Sequence, residues 1–237
     1  MTTSEGWAHP ELLVETDWLA DHLDDPNVRI VDCDLLPAYQ RLHIPNSVWS
    51  SSHYWKGDLR NETDVLGVDD PERLAEVIGR LGIDNETQVV AYDGSGGLYA
   101  ERFWWTMDRF GFDKVQVLHG GLDKWVAERR PLSRANFRPE QRTFVAQPPH
   151  GGTCCTLAEI TSKASDDNFV LWDVRSDGEW TGANARGTKR GGRIPGAKHW
   201  EWLQTLNEPV RTLKSPDELR ATLAEMGITP EKTVATY

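Results

Sequence analysis

The sequence predicts an α/β protein built from two copies of one unit, each a parallel sheet flanked by helices. The first observation behind this prediction is an internal repeat. Residues 70–74 (DPERL) match residues 215–219 (SPDEL), and residues 89–92 (VVAY) match residues 234–237 (VATY), at one common offset. The second is that short apolar runs alternate with helical patterns in both copies. We expect the second copy to be incomplete, because its match ends where the first copy continues into a Gly-rich loop.

Composition and charge restrict the classes of function. The chain has 237 residues, of which 38% are hydrophobic and 27% charged, and its formal net charge is -11. Such an acidic protein lacks the basic face that duplex DNA or RNA requires, so we expect no nucleic-acid partner. No leader peptide and no long apolar run are found, so we expect no membrane association and a cytoplasmic location.

The cysteines do not indicate a structural role. Cys33, Cys154 and Cys155 are too few and too badly spaced for a disulfide framework or a CxxC zinc site. A reducing compartment is the simpler interpretation, and we expect neither a metal nor another cofactor. Cys33 follows a core strand and is expected to be a small buried side chain.

Each copy is predicted to begin with a short helix. Thr16 is expected to cap a helix over residues 17–23. In the second copy, Thr156 and Glu159 form an S/T-x-x-E capping box for a helix that starts at Leu157.

A buried strand and a turn follow in each copy. The apolar runs 28–31 and 169–172 predict strands that lead into Asp32 and Asp173, which we therefore interpret as equivalent. Next comes an X-Ile-Pro-small turn, residues 43–46 (HIPN) in the first copy and residues 193–196 (RIPG) in the second.

The next helix carries the clearest boundary signals. Proline stands at the first helical position after Asp70 and after Ser215, and glycine follows the last turn at Gly82 and Gly227. The apolar runs at residues 89–92 and 234–237 then predict central parallel strands.

Only the first copy continues. Its Gly-rich loop at residues 93–99 is followed by a predicted helix over 99–110, a strand over 115–118 and a further helix. The prolines and glycines of residues 136–155 indicate an extended linker. The predicted organisation is therefore a first domain at 12–135, a linker at 136–155 and a second domain at 156–237.

Two alternatives remain open at the Gly-rich loop. Gly94, Gly96 and Gly97 between a strand and a helix are similar to a dinucleotide fingerprint, but the full G-x-G-x-x-G spacing is missing. Asp93 either marks the position of a catalytic group that this copy has lost or caps the following helix. Under both interpretations Asp93 is not catalytic.

In its motifs the chain resembles the tandem-domain rhodaneses, a family of thiosulfate and 3-mercaptopyruvate sulfurtransferases. The order and spacing of several short motifs carry this resemblance: IVD (30–32), HIP (43–45), VAYDG (90–94), FWW (103–105) and LHGG (118–121) in the first copy, and DVR (173–175), GRIPGA (192–197) and SPDEL (215–219) in the second.

The resemblance implies two rhodanese-like domains, of which only the second is catalytic. It places a nucleophilic cysteine immediately after Tyr237, where the first copy has Asp93. In such enzymes that cysteine takes the outer sulfur of a small anionic donor, becomes a persulfide and passes the sulfur to cyanide or a thiol. A loop that runs into a helix N-terminus stabilises the thiolate, because backbone N–H groups and the helix dipole favour negative charge.

The resemblance also indicates residues that support the site. Asp173 and Arg175 are expected to brace the catalytic loop, or else to form a local ion pair that fixes the turn. The position where many members carry an arginine for the donor anion is Glu179 here. Separately from the resemblance, four cations cluster before the second Ile-Pro turn, namely Arg186, Lys189, Arg190 and Arg193. They form either an anion-attracting rim or a solvated loop, and Arg190 and Arg193 are our candidates for the rim.

Two functions are compatible with these observations. The first is a sulfurtransferase whose catalytic cysteine lies in a continuation of this chain or in a companion chain. The second is a catalytically dead rhodanese-like module used for binding or regulation. A strand that ends at Tyr237 without its covering helix favours the first. The residues that distinguish thiosulfate from 3-mercaptopyruvate would lie beyond Tyr237, so the donor stays undecided.

Overall fold

The computed structural model describes residues 6–50, 70–152 and 154–237. Two compact units are present. The first comprises residues 1–151 with 208–212, and the second comprises residues 152–207 with 213–237. Each unit contains a parallel sheet flanked by helices, as the sequence predicts.

The first unit is built on a five-stranded sheet in the order β1-β5-β4-β2-β3. The pairs whose register is defined are all parallel, and Tyr92 at the end of β4 lies opposite Asp32 at the end of β2. The strands are β1 (Leu13–Val14), β2 (Val28–Asp32), β3 (Val48–Trp49), β4 (Gln88–Tyr92) and β5 (Val115–Leu118). The carboxyl ends of β2 and β4 therefore meet at one edge of the sheet.

Helices cover both faces of this sheet. They are α1 (Thr16–Asp21), α2 (Leu36–Arg41), α3 (Pro71–Arg80), α4 (Ala100–Arg109) and α5 (Gly121–Ala127). One core contains Val31, Val89 and Phe103, and the other, formed by alternate strand residues, contains Ile30 and Val90. The strands read as continuous apolar runs because both of their faces are buried.

Of the two caps predicted from the sequence, the capping box of Thr156 is confirmed, and the predicted starts of two further helices after Asp70 and Ser215 are also confirmed. Asp70 accepts hydrogen bonds from the first turn of α3, and the capping boxes of Thr156 and Ser215 form in the second unit. The prediction for Thr16 was wrong. Thr16 is the first residue of α1 and its hydroxyl donates to Glu128 Oε2 at 2.6 Å, so a long-range partner replaces the local cap.

The second unit contains a three-stranded parallel sheet in the order β10-β6-β7 among the described residues. Among the described residues β10 pairs with β6, as its counterpart β4 pairs with β2, and β4 is also flanked by β5. The elements are α6 (Leu157–Lys163), β6 (Phe169–Asp173), α7 (Asp177–Thr181), β7 (Lys198–His199), β8 (Leu206–Asn207), β9 (Thr212–Leu213), α8 (Pro216–Glu225) and β10 (Thr233–Thr236).

The segment predicted as a linker has no helix or strand in its described part, residues 136–152 and 154–155. It nevertheless packs on the first unit. Phe144 is 4% exposed and meets Phe112 edge-on, with 5.2 Å between the ring centroids. Arg142 N also donates to Gly79 O at 3.0 Å. The segment is therefore held against the first unit at several points.

Candidate functional site

The Gly-rich loop of the first unit closes around the carboxylate of Asp93. Four backbone N–H groups donate to it: those of Ser95 at 2.8 Å and Gly97 at 2.9 Å to Oδ1, and those of Tyr99 at 2.8 Å and Ala100 at 2.9 Å to Oδ2. Asp93 is 1% exposed. We call these four N–H groups the loop cradle. It is an anion-binding nest at the start of α4, and Asp93 fills it from within the chain.

Glycines allow the cradle to form. Gly97 has φ of 96°, which places its N–H on Asp93 at a backbone angle that residues with a Cβ avoid. Gly121, at the start of α5, approaches the loop so closely that a Cβ would lie 2.3 Å from Asp93 O. The neighbouring Leu122 N donates to that carbonyl at 2.8 Å. The cradle and the N-terminus of α5 are thus packed backbone against backbone.

A second acid supports the same loop. Asp34 is buried, and its Oδ2 accepts a hydrogen bond from Gly94 N at 2.8 Å. Asp34 stands two residues after Asp32, as Arg175 stands two residues after Asp173. The first copy therefore has a negative charge where the second has a positive one. Asp34 was not predicted as a site residue, although its position, equivalent to that of Arg175 in the second copy, is a signal that the sequence contains.

Below the loop, a tyrosine joins the strand ends to the Ile-Pro turn. Tyr92 Oη donates to Asp32 Oδ2 at 2.6 Å and accepts from Ile44 N at 3.0 Å. Asp32 is 1% exposed, and burial raises its pKa to about 6. No guanidinium contacts this carboxylate among the described residues, so burial dominates.

The second unit repeats this arrangement with a cation added. Tyr237 Oη accepts from Ile194 N at 3.0 Å, matching the contact of Tyr92 with Ile44. Arg175 forms two hydrogen bonds with Asp173, Nε to Oδ1 at 2.9 Å and Nη2 to Oδ2 at 2.6 Å. Its Cζ also lies 4.8 Å from the Tyr237 ring centroid. We call Asp173, Arg175 and Tyr237 the arginine brace.

The brace changes the electrostatics of the buried acid. Burial acts to raise the pKa of Asp173, but the hydrogen bonds and charge of Arg175 outweigh it and hold the pKa below its ordinary value. Arg175 Nη2 also donates to Gly192 O at 3.0 Å, at the end of the loop that carries Arg190. The brace thus ties β6, β10 and this loop together.

Glu179, which stands where the resemblance implies an arginine, has a structural contact. It closes a capping box at the start of α7, accepting from Ser176 Oγ at 2.7 Å. Burial acts to raise its pKa, but the hydrogen bonds from Ser176 and the charge of Arg186 lower it below the ordinary value. Sequence analysis did not predict α7, although the S-x-x-E pattern at residues 176–179 signals it.

The two rim candidates have different surroundings. Arg193 is exposed and its Cζ lies 4.4 Å from the Trp180 ring centroid, so a cation–π contact orients it. Arg190 is exposed in the glycine-bounded loop. The neighbouring Arg186 contacts Glu179 at 3.5 Å, which leaves Lys189, Arg190 and Arg193 as the more available cations of the cluster.

The remaining candidates lie apart from these contacts. Cys33 is buried, as predicted, whereas Cys154 and Cys155 are exposed. In residues 6–50, 70–152 and 154–237, no group of three or more His, Cys, Asp or Glu side chains is arranged to hold a metal ion. Within the same ranges, every helix is too short or too polar to cross a bilayer.

Comparison of the sequence with known proteins shows which family and which relatives this chain resembles. The rhodanese-like domain family matches residues 15–128. The sulfur carrier protein TtuD from Thermus thermophilus is 35% identical over 244 residues, covering 98% of this chain and 84% of TtuD. A thiosulfate sulfurtransferase from Azotobacter vinelandii is 32% identical over 234 residues, covering 98% of this chain and 84% of that protein.

Solved structures extend the likeness to both units. The crystal structure of SseA from Escherichia coli, a 3-mercaptopyruvate sulfotransferase, aligns with a TM-score of 0.79 at 25% identity and covers 95% of this chain and 87% of that one. The chain belongs to the rhodanese family. It is a sulfurtransferase, an enzyme that takes a sulfur donor and a sulfur acceptor as substrates.

Proposed function

We propose that the protein moves a sulfane sulfur from thiosulfate or 3-mercaptopyruvate to cyanide or a thiol through a cysteine persulfide. The nucleophile in this proposal is a cysteine directly after Tyr237, the position that corresponds to Asp93 in the first copy. The observation that carries the proposal is the arginine brace. It repeats the strand-end geometry of the first unit but carries a guanidinium where that unit has the carboxylate of Asp34.

The charge difference supports a division of labour between the copies. In the first copy, Asp93 already satisfies the four donors of the loop cradle, and a carboxylate there repels an anionic donor and forms no persulfide. In the second copy, a cradle of the same kind would hold a thiolate and lower its pKa through converging N–H groups and a helix N-terminus.

With thiosulfate as donor, the reaction has two displacements. The cysteine thiolate attacks the outer sulfur, the S–S bond of the donor breaks, and sulfite leaves with the bonding electron pair. Cyanide or an acceptor thiolate then attacks the sulfane sulfur of the persulfide. Thiocyanate or a new persulfide forms, and the enzyme thiolate returns with the electron pair of the broken S–S bond.

Arg190 and Arg193 contribute a positive rim that raises the local concentration of the anionic donor. Replacing both by alanine should raise KM for thiosulfate about threefold to tenfold with little change in kcat, because only binding loses their charge. Arg220→Ala on α8 is the matched control and should leave KM unchanged. Unchanged kinetics in the double variant would remove the rim from the proposal.

The cysteine comes either from a continuation of this chain or from a companion chain. We further propose a cytoplasmic location, since three cysteines at these spacings do not form a disulfide framework of the kind that secreted proteins carry.

The test is thiocyanate formation from thiosulfate and cyanide by the full native polypeptide. We expect turnover that is lost when the cysteine after Tyr237 is replaced by serine and that survives Cys33→Ala. Absence of thiocyanate with thiosulfate and with 3-mercaptopyruvate would favour the alternative function, a rhodanese-like binding module.

A further inference from the structure

A cavity of about 550 Å³ lies in the first unit, away from the loop cradle. It is bounded by the segment 137–142 and by residues before and within β2. Its lining includes Leu23, Val28 and Phe137, which are apolar, and Arg29, Arg138 and Arg142, which are cationic. The volume is in the range of small-molecule sites, which combine apolar walls with a few charged groups.

Arg29 is the unusual member of this lining. It is 8% exposed, and its Nε is buried with no hydrogen-bond partner in the described part of the chain. Its Cζ lies 5.1 Å from the ring centroid of Phe137, and its Nη2 lies beside Gly82. A buried guanidinium normally has a carboxylate partner, because removing its charge from water is costly unless an opposite charge compensates it.

The charges around Arg29 do not provide that partner. Burial and the nearby cation Arg142 both lower the pKa of Arg29. Asp24, Asp25 and the exposed Glu140 also line the cavity, but none of them forms an ion pair with Arg29 in the described part of the chain. Asp24 and Asp25 instead accept hydrogen bonds from Asn46 Nδ2 at 2.9 Å and Asn27 N at 2.8 Å. Arg142 donates to Asp84 Oδ2 at 3.2 Å, which leaves Arg29 as the buried cation without an acid.

We propose that this cavity binds a small organic anion, with its phosphate or carboxylate group at Arg29 and Arg138 and its apolar part against Phe137 and Leu23. Arg138 is exposed at the cavity and has no acidic partner among the described residues. The anion would supply the negative charge that Arg29 lacks, and the Phe137 ring would cover an apolar group. This site is separate from sulfur transfer and does not depend on the function proposed above.

Isothermal titration of the full protein with phenyl phosphate and, separately, with benzoate tests the proposal. The probe whose binding responds to the variants identifies the preferred anionic group. Arg29→Met removes the charge at similar volume and should weaken binding about tenfold or more, because a charge-assisted hydrogen bond is lost. Arg138→Gln, at an exposed position, should weaken binding about threefold to tenfold. Arg41→Gln removes an exposed arginine outside the cavity and should bind like the wild type.

Thermal melting distinguishes a ligand site from a purely structural arginine. We expect Arg29→Met to keep or raise the Tm of the unliganded protein, and to lose the rise in Tm that the preferred probe produces in the wild type. If Arg29→Met does not fold, the Kd of Arg138→Gln, compared with that of the wild type, tests the proposal instead. Absence of binding of both probes at about 10 mM, or equal Kd values in wild type, Arg29→Met and Arg138→Gln, would overturn the proposal.

Discussion

At the residue scale, the two copies diverge around one buried aspartate. Asp32 and Asp173 both end a core strand, and the tyrosine of the neighbouring strand lies close to each. Asp173 has Arg175 on its carboxylate, whereas Asp32 has only neutral donors, the Tyr92 hydroxyl and the backbone N–H of Asp34. At mildly acidic pH the carboxylate of Asp173 is therefore charged, whereas that of Asp32 is largely protonated.

This difference predicts opposite pH dependences of stability. Asp32 has a folded pKa of about 6 against an ordinary value of 3.8, so the unfolded state loses its proton first. Its contribution to the free energy of unfolding therefore falls by about 3 kcal/mol as the pH rises from about 4 to about 6. Urea denaturation of Asp32→Asn should show that decline removed.

Asp173 is the matched comparison. Its folded pKa is lowered, so its contribution is present above the unfolded pKa of about 4 and is lost as the pH falls through the folded value. The difference in free energy of unfolding between wild type and Asp173→Asn should grow as the pH rises through that range. Equal slopes for the two variants would contradict the assigned environments.

Arg175→Ala tests the arginine brace by stability. The substitution leaves the fully buried Asp173 carboxylate without its bidentate partner, so we expect a loss of about 3 kcal/mol in the free energy of unfolding. Arg175→Lys keeps the positive charge but not the bidentate geometry, so we expect a smaller loss in the free energy of unfolding. Arg220→Ala breaks an exposed pair with Asp217 and should change stability by less than about 1 kcal/mol. An Arg175→Ala value no larger than that control would show that the brace does not stabilise the unit.

The pairing of Asp173 with Arg175 could be predicted, but the further contact of Arg175 could not. Asp173 ends β6 and Arg175 follows two residues later, so local sequence was enough for the pair. The contact of Arg175 with Gly192 O joins residues far apart in the chain, which no local pattern reveals. Arg29 gave a weak signal as one charge inside an apolar strand, and only its three-dimensional surroundings show that it lacks an acid.

At the element scale, the ends of helices could be predicted from the local sequence, whereas close packing between elements could not. Proline and glycine marked α3 and α8 because they restrict or release the backbone at the first and last turns. Short α2 and α7 were missed, since five or six residues carry little periodicity.

The contact between the loop cradle and α5 gives an element-scale prediction. In Gly121→Ala, the new Cβ would meet Asp93 O, and the residue would also keep φ of 50°. We expect a loss of about 2 kcal/mol or more in the free energy of unfolding, because backbone must move. Gly187→Ala has φ of 81° but open space and should lose about 1 kcal/mol. Equal losses would show that the close approach is not a constraint.

At the scale of the whole molecule, duplication explains both the fold and the position of the chemistry. The first copy has a five-stranded sheet and the loop cradle, and the carboxylate of Asp93 occupies the cradle. The second copy retains the strand ends and adds a cation. The repeat was readable from the sequence because it spans many residues. The packing of Phe144 on the first unit was not, because isolated aromatic residues in a polar segment carry no such signal.

The central claim is that sulfur is carried in the second copy, directly after Tyr237. Peptide mass mapping of the full native polypeptide after treatment with thiosulfate tests it most directly. We expect a mass increase of one sulfur atom on the cysteine that follows Tyr237, and treatment with cyanide should reverse it. Cys33, Cys154 and Cys155 should stay unmodified. A cyanide-sensitive sulfur on one of these three, with none after Tyr237, would contradict it.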